Sequence, residues 1–161
     1  MHVQLLPFDG DRHWSLINKW IEAPHVARWW GDPGEILLEL QQHDPNHQAM
    51  ITAAGQPVGF LCWQTPSQEE LQAAGLADLP KDLIDVDIML GEAEALGKGI
   101  APQALQCLFE QLKNQGVTLV GLAGAIANGR AMKAYQKAGL MPFRDFFENG
   151  EWYRYFTISL L

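Results

Sequence analysis

Asp85 and Asp87 stand two residues apart in the run Leu83 to Leu90, where Ile84, Val86, Ile88 and Leu90 alternate with Asp85, Asp87 and Met89. That period of two predicts a strand with both carboxylates on one face. Such a pair creates a negative potential that attracts a cation. A partly solvated strand face would carry the same residues. Six residues after the strand comes Leu96-Gly97-Lys98-Gly99-Ile100-Ala101, and after it a predicted helix. Glycines there let backbone amides approach an anion closely, and the positive end of the helix favours phosphate, so a pyrophosphate fits this turn. By itself the loop is also compatible with an ordinary strand-to-helix connection.

Competing phosphate chemistries fit less well. No Ser or Thr follows Gly97-Lys98 as a nucleotide-hydrolysing loop requires, and the dinucleotide-binding glycine spacing is missing. The five histidines suggest no metal centre, because Pro45-Asn46 interrupts the helix that would bring His43 and His47 onto one face. No metal is therefore expected. Cys62 and Cys107 are far apart and have no partner at ligand spacing, which suits a reducing compartment.

The remaining elements must position these groups. Val3 and Leu5 begin a strand, and Trp14, Ile17, Trp20 and Ile21 recur at helical spacing until Pro24. His25 to Gly31 reads as an aromatic linker. Asp32-Pro33 then caps a second helix with Ile36, Leu37 and Leu40 on its buried stripe. Gln48 to Ala53 and Pro57 to Trp63 form a hairpin around Gly55-Gln56. Ser67 to Glu70 satisfies a capping box, but Gly75 and Pro80 leave room only for a short helix or a solvated excursion. Ala104, Leu105, Leu108, Phe109 and Leu112 outline the next helix, ended by Asn114 to Gly116 and followed by a strand from Val117 to Leu122. Asn128 caps a helix carrying Ala131, Met132, Tyr135 and Ala138, with Gly139 at its end. Two strands, Met141 to Phe147 and Trp152 to Leu160, flank Asn149-Gly150. The order β-α-α-β-β-β-α-β-α-β-β implies an α/β fold, a mixed sheet with helices on both faces.

The chain has 161 residues, which fits one domain over residues 1–161 with a substantial core. Its 19 acidic and 11 basic residues leave a formal net charge of -8. This opposes a broad phosphate-binding face, so no nucleic-acid partner is expected and a cationic one suits better. The N-terminus lacks a basic region followed by a long apolar one, and no stretch reaches membrane-spanning length, so the expectation is a cytoplasmic protein with no membrane partner.

Leu96-Gly97-Lys98-Gly99-Ile100-Ala101, Asn128-Gly129-Arg130-Ala131 and Tyr135-Gln136-Lys137-Ala138-Gly139-Leu140 together resemble the acetyl-CoA loop and the downstream Asn-helix-Tyr element of GNAT acetyltransferases. The element order is similar to that fold, with its mostly antiparallel mixed sheet, along nearly the whole chain. Leu96 departs from the Arg or Gln common at its position, which throws more of the anion contact onto backbone groups. Trp29-Trp30-Gly31, Gly55-Gln56-Pro57-Val58-Gly59-Phe60 and Asp85-Val86-Asp87-Ile88-Met89-Leu90 further resemble the aminoglycoside 6'-N-acetyltransferases. Enzymes that acylate the lysine-type amine of siderophores look similar too.

The resemblance implies acetyl-CoA as co-substrate and a small-molecule amine as acceptor, cationic and either aminoglycoside-like or polyamine-like. It implies Asp87 as general base, since a protonated amine has no lone pair with which to attack a thioester. The N–H near Met89 would polarise the thioester carbonyl, and Tyr135 would protonate the leaving thiolate. Gly97, Lys98, Gly99, Ile100, Ala101 and Asn128 would hold the CoA arm. Trp30, Asp85 and Glu148 would face the acceptor beside Asp87, with Asp145 and Glu151 extending an acidic wall. Each residue also has a plainer reading: Tyr135 as core packing, Asn128 as a helix cap, Lys98 as a solvated charge, and Glu148 as part of a solvated hairpin. One departure bears on the acceptor: where the aminoglycoside enzymes carry an Asp five residues ahead of the Asn, this chain has Ala123. Other readings are transfer to a siderophore amine or a protein N-terminus, and an acyl-CoA-binding module without turnover. A monomer or homodimer fits all of them.

Overall fold

The computed structural model describes residues 2–161; Met1, the first residue of the expected single domain, lies outside the described residues. Seven strands, β1 (Val3–Pro7), β2 (Gln48–Ala53), β3 (Gln56–Gln64), β4 (Ile84–Leu90), β5 (Leu119–Ala125), β6 (Met141–Glu148) and β7 (Glu151–Ser159), pair in the order β1-β2-β3-β4-β5-β7-β6. The β1–β2, β2–β3, β5–β7 and β6–β7 pairs are antiparallel, whereas β4 runs parallel to β5 through Ile84–Val120 and Asp85–Gly121. Among the described residues six α-helices accompany them: α1 (Gly10–Glu22), α2 (Pro24–Trp30), α3 (Pro33–Gln42), α4 (Gln68–Ala73), α5 (Ile100–Asn114) and α6 (Gly129–Lys137). This is the mixed α/β, mostly antiparallel architecture expected.

The chain divides into two compact units, Met1–Cys62 with Ile88–Ile100, and Trp63–Asp87 with Ala101–Leu161. In the first, α1 to α3 bury Ile17, Trp20, Ile21, Val26, Ile36 and Leu40 together with Met50, Phe60, Cys62 and Met89. Asp9 and Asp32 start α1 and α3 by accepting the backbone N–H groups of Asp11 and Glu35, which the first helical turn leaves unpaired. Gly91 is sterically required, since a Cβ there would fall inside the Trp20 ring.

In the second unit, Leu71, Leu76, Leu79, Leu83 and Tyr155 form one buried cluster. The expected capping box is present: Ser67 and Glu70 bond reciprocally at the start of α4. Arg144 of β6 forks onto Asp78 at 2.7 and 3.0 Å, tying the segment after α4 to the outer strand.

The segment His25 to Gly31 departs from expectation, being largely helix rather than linker. Pro24 ends α1 but also occupies the first turn of α2, where its missing N–H costs nothing, and Val26 supplies the buried contact. The strand expected over Val117–Leu122 instead runs Leu119–Ala125. Both expected hairpin turns form, with Ala54 and Gly55 at φ 51 and 80° and Asn149 and Gly150 at φ 51 and 79°.

Candidate active site

In the second unit, β4 carries Asp85 and Asp87 on one face, with Asp85 half-buried and Asp87 exposed. Both Asp85 oxygens accept hydrogen bonds. Tyr155 Oη donates to Oδ1 at 2.7 Å, and Gln64 Nε2 donates to Oδ2 at 2.7 Å. The same Gln64 nitrogen lies 3.4 Å from Asp87 Oδ2, so one amide group spans the two carboxylates. Burial and the neighbouring Asp87 charge push the Asp85 carboxyl well above the ordinary range, against the opposing pull of the bonds from Tyr155 and Gln64.

Tyr135 lies on the buried face of α6 and packs edge-on to Phe156 at 5.6 Å between centroids. Burial first, and then the Asp87 charge, push its hydroxyl above the ordinary tyrosine range. The phenol therefore stays protonated at neutral pH and can serve as a proton donor. Its ring occupies space that exists because residue 124 is glycine: a Cβ there would sit 2.8 Å from Tyr135 Cε2 and 2.7 Å from Met132 Cε. Asn128 Oδ1 accepts the Ala131 N–H at 3.2 Å and so caps α6, while its amide nitrogen is a donor that the cap does not use.

Glu148 and Glu151 pair across the β6–β7 hairpin, and Phe146 stacks on Tyr153 at 5.4 Å. Burial, Glu151 and Glu148 raise the Tyr153 hydroxyl. Asp145, expected in the same acidic group, is instead bound by the Arg154 guanidinium at 2.8 and 3.1 Å, which depresses its carboxyl and cancels its charge. Ala123 pairs with Tyr155 across β5 and β7.

In the first unit, Gly97 and Gly99 adopt φ of 74 and 75°, the left-handed region that favours glycine, and α5 begins at Ile100. A Cβ at Gly97 would meet nothing within 4 Å, so open space adjoins the backbone. Lys98 is exposed between the two glycines, whereas Ile100 is buried. Two left-handed glycines ahead of a 15-residue helix are suited to an anion such as a pyrophosphate. Ala101, the first residue of the second unit after the loop, is half-buried in the opening turn of α5.

Met89 buries its side chain in the first unit's core, which leaves its backbone as the polar part. Gly59 is required beside it, because a Cβ there would meet the Met89 carbonyl oxygen. His25 Nε2 lies 3.0 Å from the Leu90 carbonyl, linking α2 to the end of β4. Trp30 packs partly against the same core, and the Arg28 guanidinium covers the Trp29 ring at 4.5 Å.

The residues around Asp85 that sequence reasoning overlooked are Gln64 and Tyr155. Each sits in a strand with no local motif. Their role follows from strand register, to which Gly121 contributes by making room for the Tyr155 ring.

The mixed sheet thus carries a glycine loop after an acidic strand and a buried tyrosine on the later, Asn-capped helix α6. The chain belongs to the GNAT acetyltransferases: the family model described as "Acetyltransferase (GNAT) domain" matches residues 9–146. It is an N-acetyltransferase. Over 142 residues it is 25% identical to an aminoglycoside N(6')-acetyltransferase type 1 of Klebsiella pneumoniae and to one of Serratia marcescens, covering 78% of this chain and 67% of each relative. Its fold resembles that of AAC(6')-Ib in complex with ribostamycin and coenzyme A, at TM-score 0.78 and 19% identity, over 99% of this chain and 94% of the other. An aminoglycoside N(6')-acetyltransferase from Legionella pneumophila matches at TM-score 0.72 and 16% identity, over 99% and 94%.

Proposed function

We propose that this acetyltransferase moves the acetyl group of acetyl-CoA to a primary amine of a small cationic acceptor, aminoglycoside-like or polyamine-like. The observation that carries the reading is an exposed carboxylate, Asp87 on β4, in the same compact unit as a buried phenol, Tyr135 on α6, whose hydroxyl is kept protonated by burial and the Asp87 charge. Acetyl-CoA supplies an activated thioester. Asp87 takes a proton from the acceptor ammonium and passes it to solvent, and the freed amine forms the new C–N bond as the C–S bond breaks. Tyr135 protonates the departing sulfur and is reprotonated by the proton that the new amide nitrogen loses. The Met89 N–H stabilises negative charge developing on the thioester oxygen.

Gly97, Lys98, Gly99, Ile100 and Ala101 hold the pyrophosphate through the loop backbone and the helix end, with Asn128 donating to the pantetheine arm. Acetyl-CoA and coenzyme A occur in complexes of the structurally similar AAC(6')-Ib, which supports the donor. The aminoglycosides bound in other complexes of that enzyme, and the relatives' names, support a cationic acceptor. In this chain Asp85, Asp87 and Glu148 supply negative potential, and Trp30 supplies an aromatic face for a cation or sugar ring.

We take residues 1–161 as one catalytic domain acting as a monomer or homodimer, with the family match running through both compact units. The two cysteines, Cys62 and Cys107, lie far apart along the chain, which suits a cytoplasmic location. Among the described residues no helix is long and apolar enough to cross a membrane. Mass spectrometry of amines incubated with enzyme and acetyl-CoA tests the reading. Acetylation of a compact polycation supports it, whereas acetylation only of peptide N-termini or siderophore-type amines overturns the acceptor class.

A further inference from the structure

The hydrogen bonds around Asp85 reach past the groups assigned to proton transfer. Gln64 closes β3 and directs its side-chain nitrogen between two carboxylates, 2.7 Å from Asp85 Oδ2 and 3.4 Å from Asp87 Oδ2. An amide nitrogen has two hydrogens, so it can serve both acceptors at once, and the amide oxygen in that position would face two like charges. Tyr155 completes the arrangement from β7 by donating to the remaining Asp85 oxygen at 2.7 Å. Asp85 thus has a protein donor on each oxygen, while its neighbour Asp87 is the more exposed carboxylate.

We propose that Gln64 and Tyr155 are positioning residues that bind Asp85 and Asp87 into one coupled carboxylate pair, with Gln64 orienting Asp87 as the first member to ionise and Asp85 held as the second. Asp85 is then the fixed member, working behind Asp87 without touching the acceptor. Two carboxylates linked through one amide cannot ionise independently, because each negative charge disfavours the other. Burial disfavours the charged form of Asp85 and the Asp87 charge adds to this, so Asp87 gives up its proton first and Asp85 last. Glu70 of α4 adds a further negative charge facing Asp85, and Tyr135 of α6 faces Asp87 as a neutral phenol. The consequence for catalysis is an Asp87 carboxylate held in one orientation and ionised ahead of its buried neighbour. As a catalytic device this rests on Asp87 being the base; the pairing itself does not.

Two substitutions separate the contributions, because one removes the coupled group and the other removes the bridging donor. Asp85→Asn keeps the shape and an acceptor for Tyr155 but removes the second ionising group, so Asp87 must titrate in a single step in place of the pair's two. Gln64→Met keeps the length but removes the donor that stabilises both anions, so both aspartates must ionise at higher pH. The probe is the pH titration of the side-chain carboxyl carbons by 13C NMR on the intact protein without substrate. Loss of the upper titration step of Asp87 in Asp85→Asn, and an upward shift of Asp87 by about half to one pH unit in Gln64→Met, are expected. The acid limb of kcat/KM for the amine should move with it, while the KM for acetyl-CoA stays put.

A purely structural role would lower the rate without moving the limb. Unchanged Asp87 titration in Asp85→Asn overturns the proposal, and this variant decides the matter alone if Gln64→Met fails to fold. Both NMR changes in a protein that acetylates no amine would leave the pair standing and remove the catalytic reading of Asp87.

Discussion

The Tyr155 hydroxyl reaches Asp85 Oδ1 at 2.7 Å through space that position 121 leaves open by being glycine. A Cβ at residue 121 would lie 2.1 Å from Tyr155 Oη and 2.5 Å from two of its ring carbons, all rigidly held in a buried ring. Gly121→Ala should therefore destabilise the fold by about 1–3 kcal/mol through overpacking. Tyr155→Phe in the Gly121→Ala background should recover only part of this loss, because the ring carbons still clash. Denaturant unfolding of the single and double variants measures both; an unchanged midpoint in Gly121→Ala would show that the ring moves freely.

Asp87→Asn should lower turnover by about 100-fold or more. The loss should be largest at low pH, where the acceptor amine is almost wholly protonated, and should narrow as rising pH supplies free amine without a base. Coenzyme A affinity, measured by calorimetry, should be preserved. A rate loss that is uniform across pH would argue for a positional rather than a proton-accepting role.

Tyr135→Phe keeps the ring that packs on Phe156 and over Gly124, so stability should change by less than about 1 kcal/mol. Turnover should fall about 10-fold or more if the hydroxyl is the donor to sulfur. The Tyr135 hydroxyl is raised above the ordinary tyrosine range, so its ionisation should not limit the rate anywhere between about pH 6 and 9. Steady-state kinetics beside a thermal melt distinguishes the two contributions. An unchanged kcat would leave Tyr135 as packing only.

Glu92 accepts the Trp20 indole N–H at 2.6 Å and pairs with Lys19 at 3.4 Å, the indole bond being the main reason that its carboxyl is depressed. A group whose folded-state pKa is lowered stabilises the fold above its unfolded pKa and loses that contribution as pH falls through the folded value. Glu92→Ala should thus cost about 1 kcal/mol at pH 7. The difference from the parent should close below the ordinary glutamate range of about 4.3. Unfolding monitored by tryptophan fluorescence across pH reports it.

Local signals carried much of this fold. The alternation in Ile84–Leu90, the dipeptides at Gly55 and Asn149-Gly150, and the caps at Asp32, Ser67 and Asn128 each have a mechanism confined to a few neighbouring residues, and the backbone follows them. Helix α2 was hidden because Pro24 is both the stop of one helix and a favourable first residue of the next. Around Asp85 the limit was of another kind. Gln64 and Tyr155 lie 21 and 70 residues from it along the chain, and only strand pairing brings their polar atoms to a shared carboxylate. Asp145 shows the same limit in reverse, since its partner Arg154 is a cross-strand neighbour set by the hairpin register.

The most direct test of acetyl transfer is release of coenzyme A from acetyl-CoA in the presence of compact polycationic amines, aminoglycosides and linear polyamines among them, with Asp87→Asn in parallel. The wild-type protein should release coenzyme A stoichiometrically with acetylated amine for at least one such acceptor, and the variant should not at low pH. Tight binding of acetyl-CoA with no coenzyme A released by any amine in the panel would contradict the enzyme and leave an acyl-CoA-binding module.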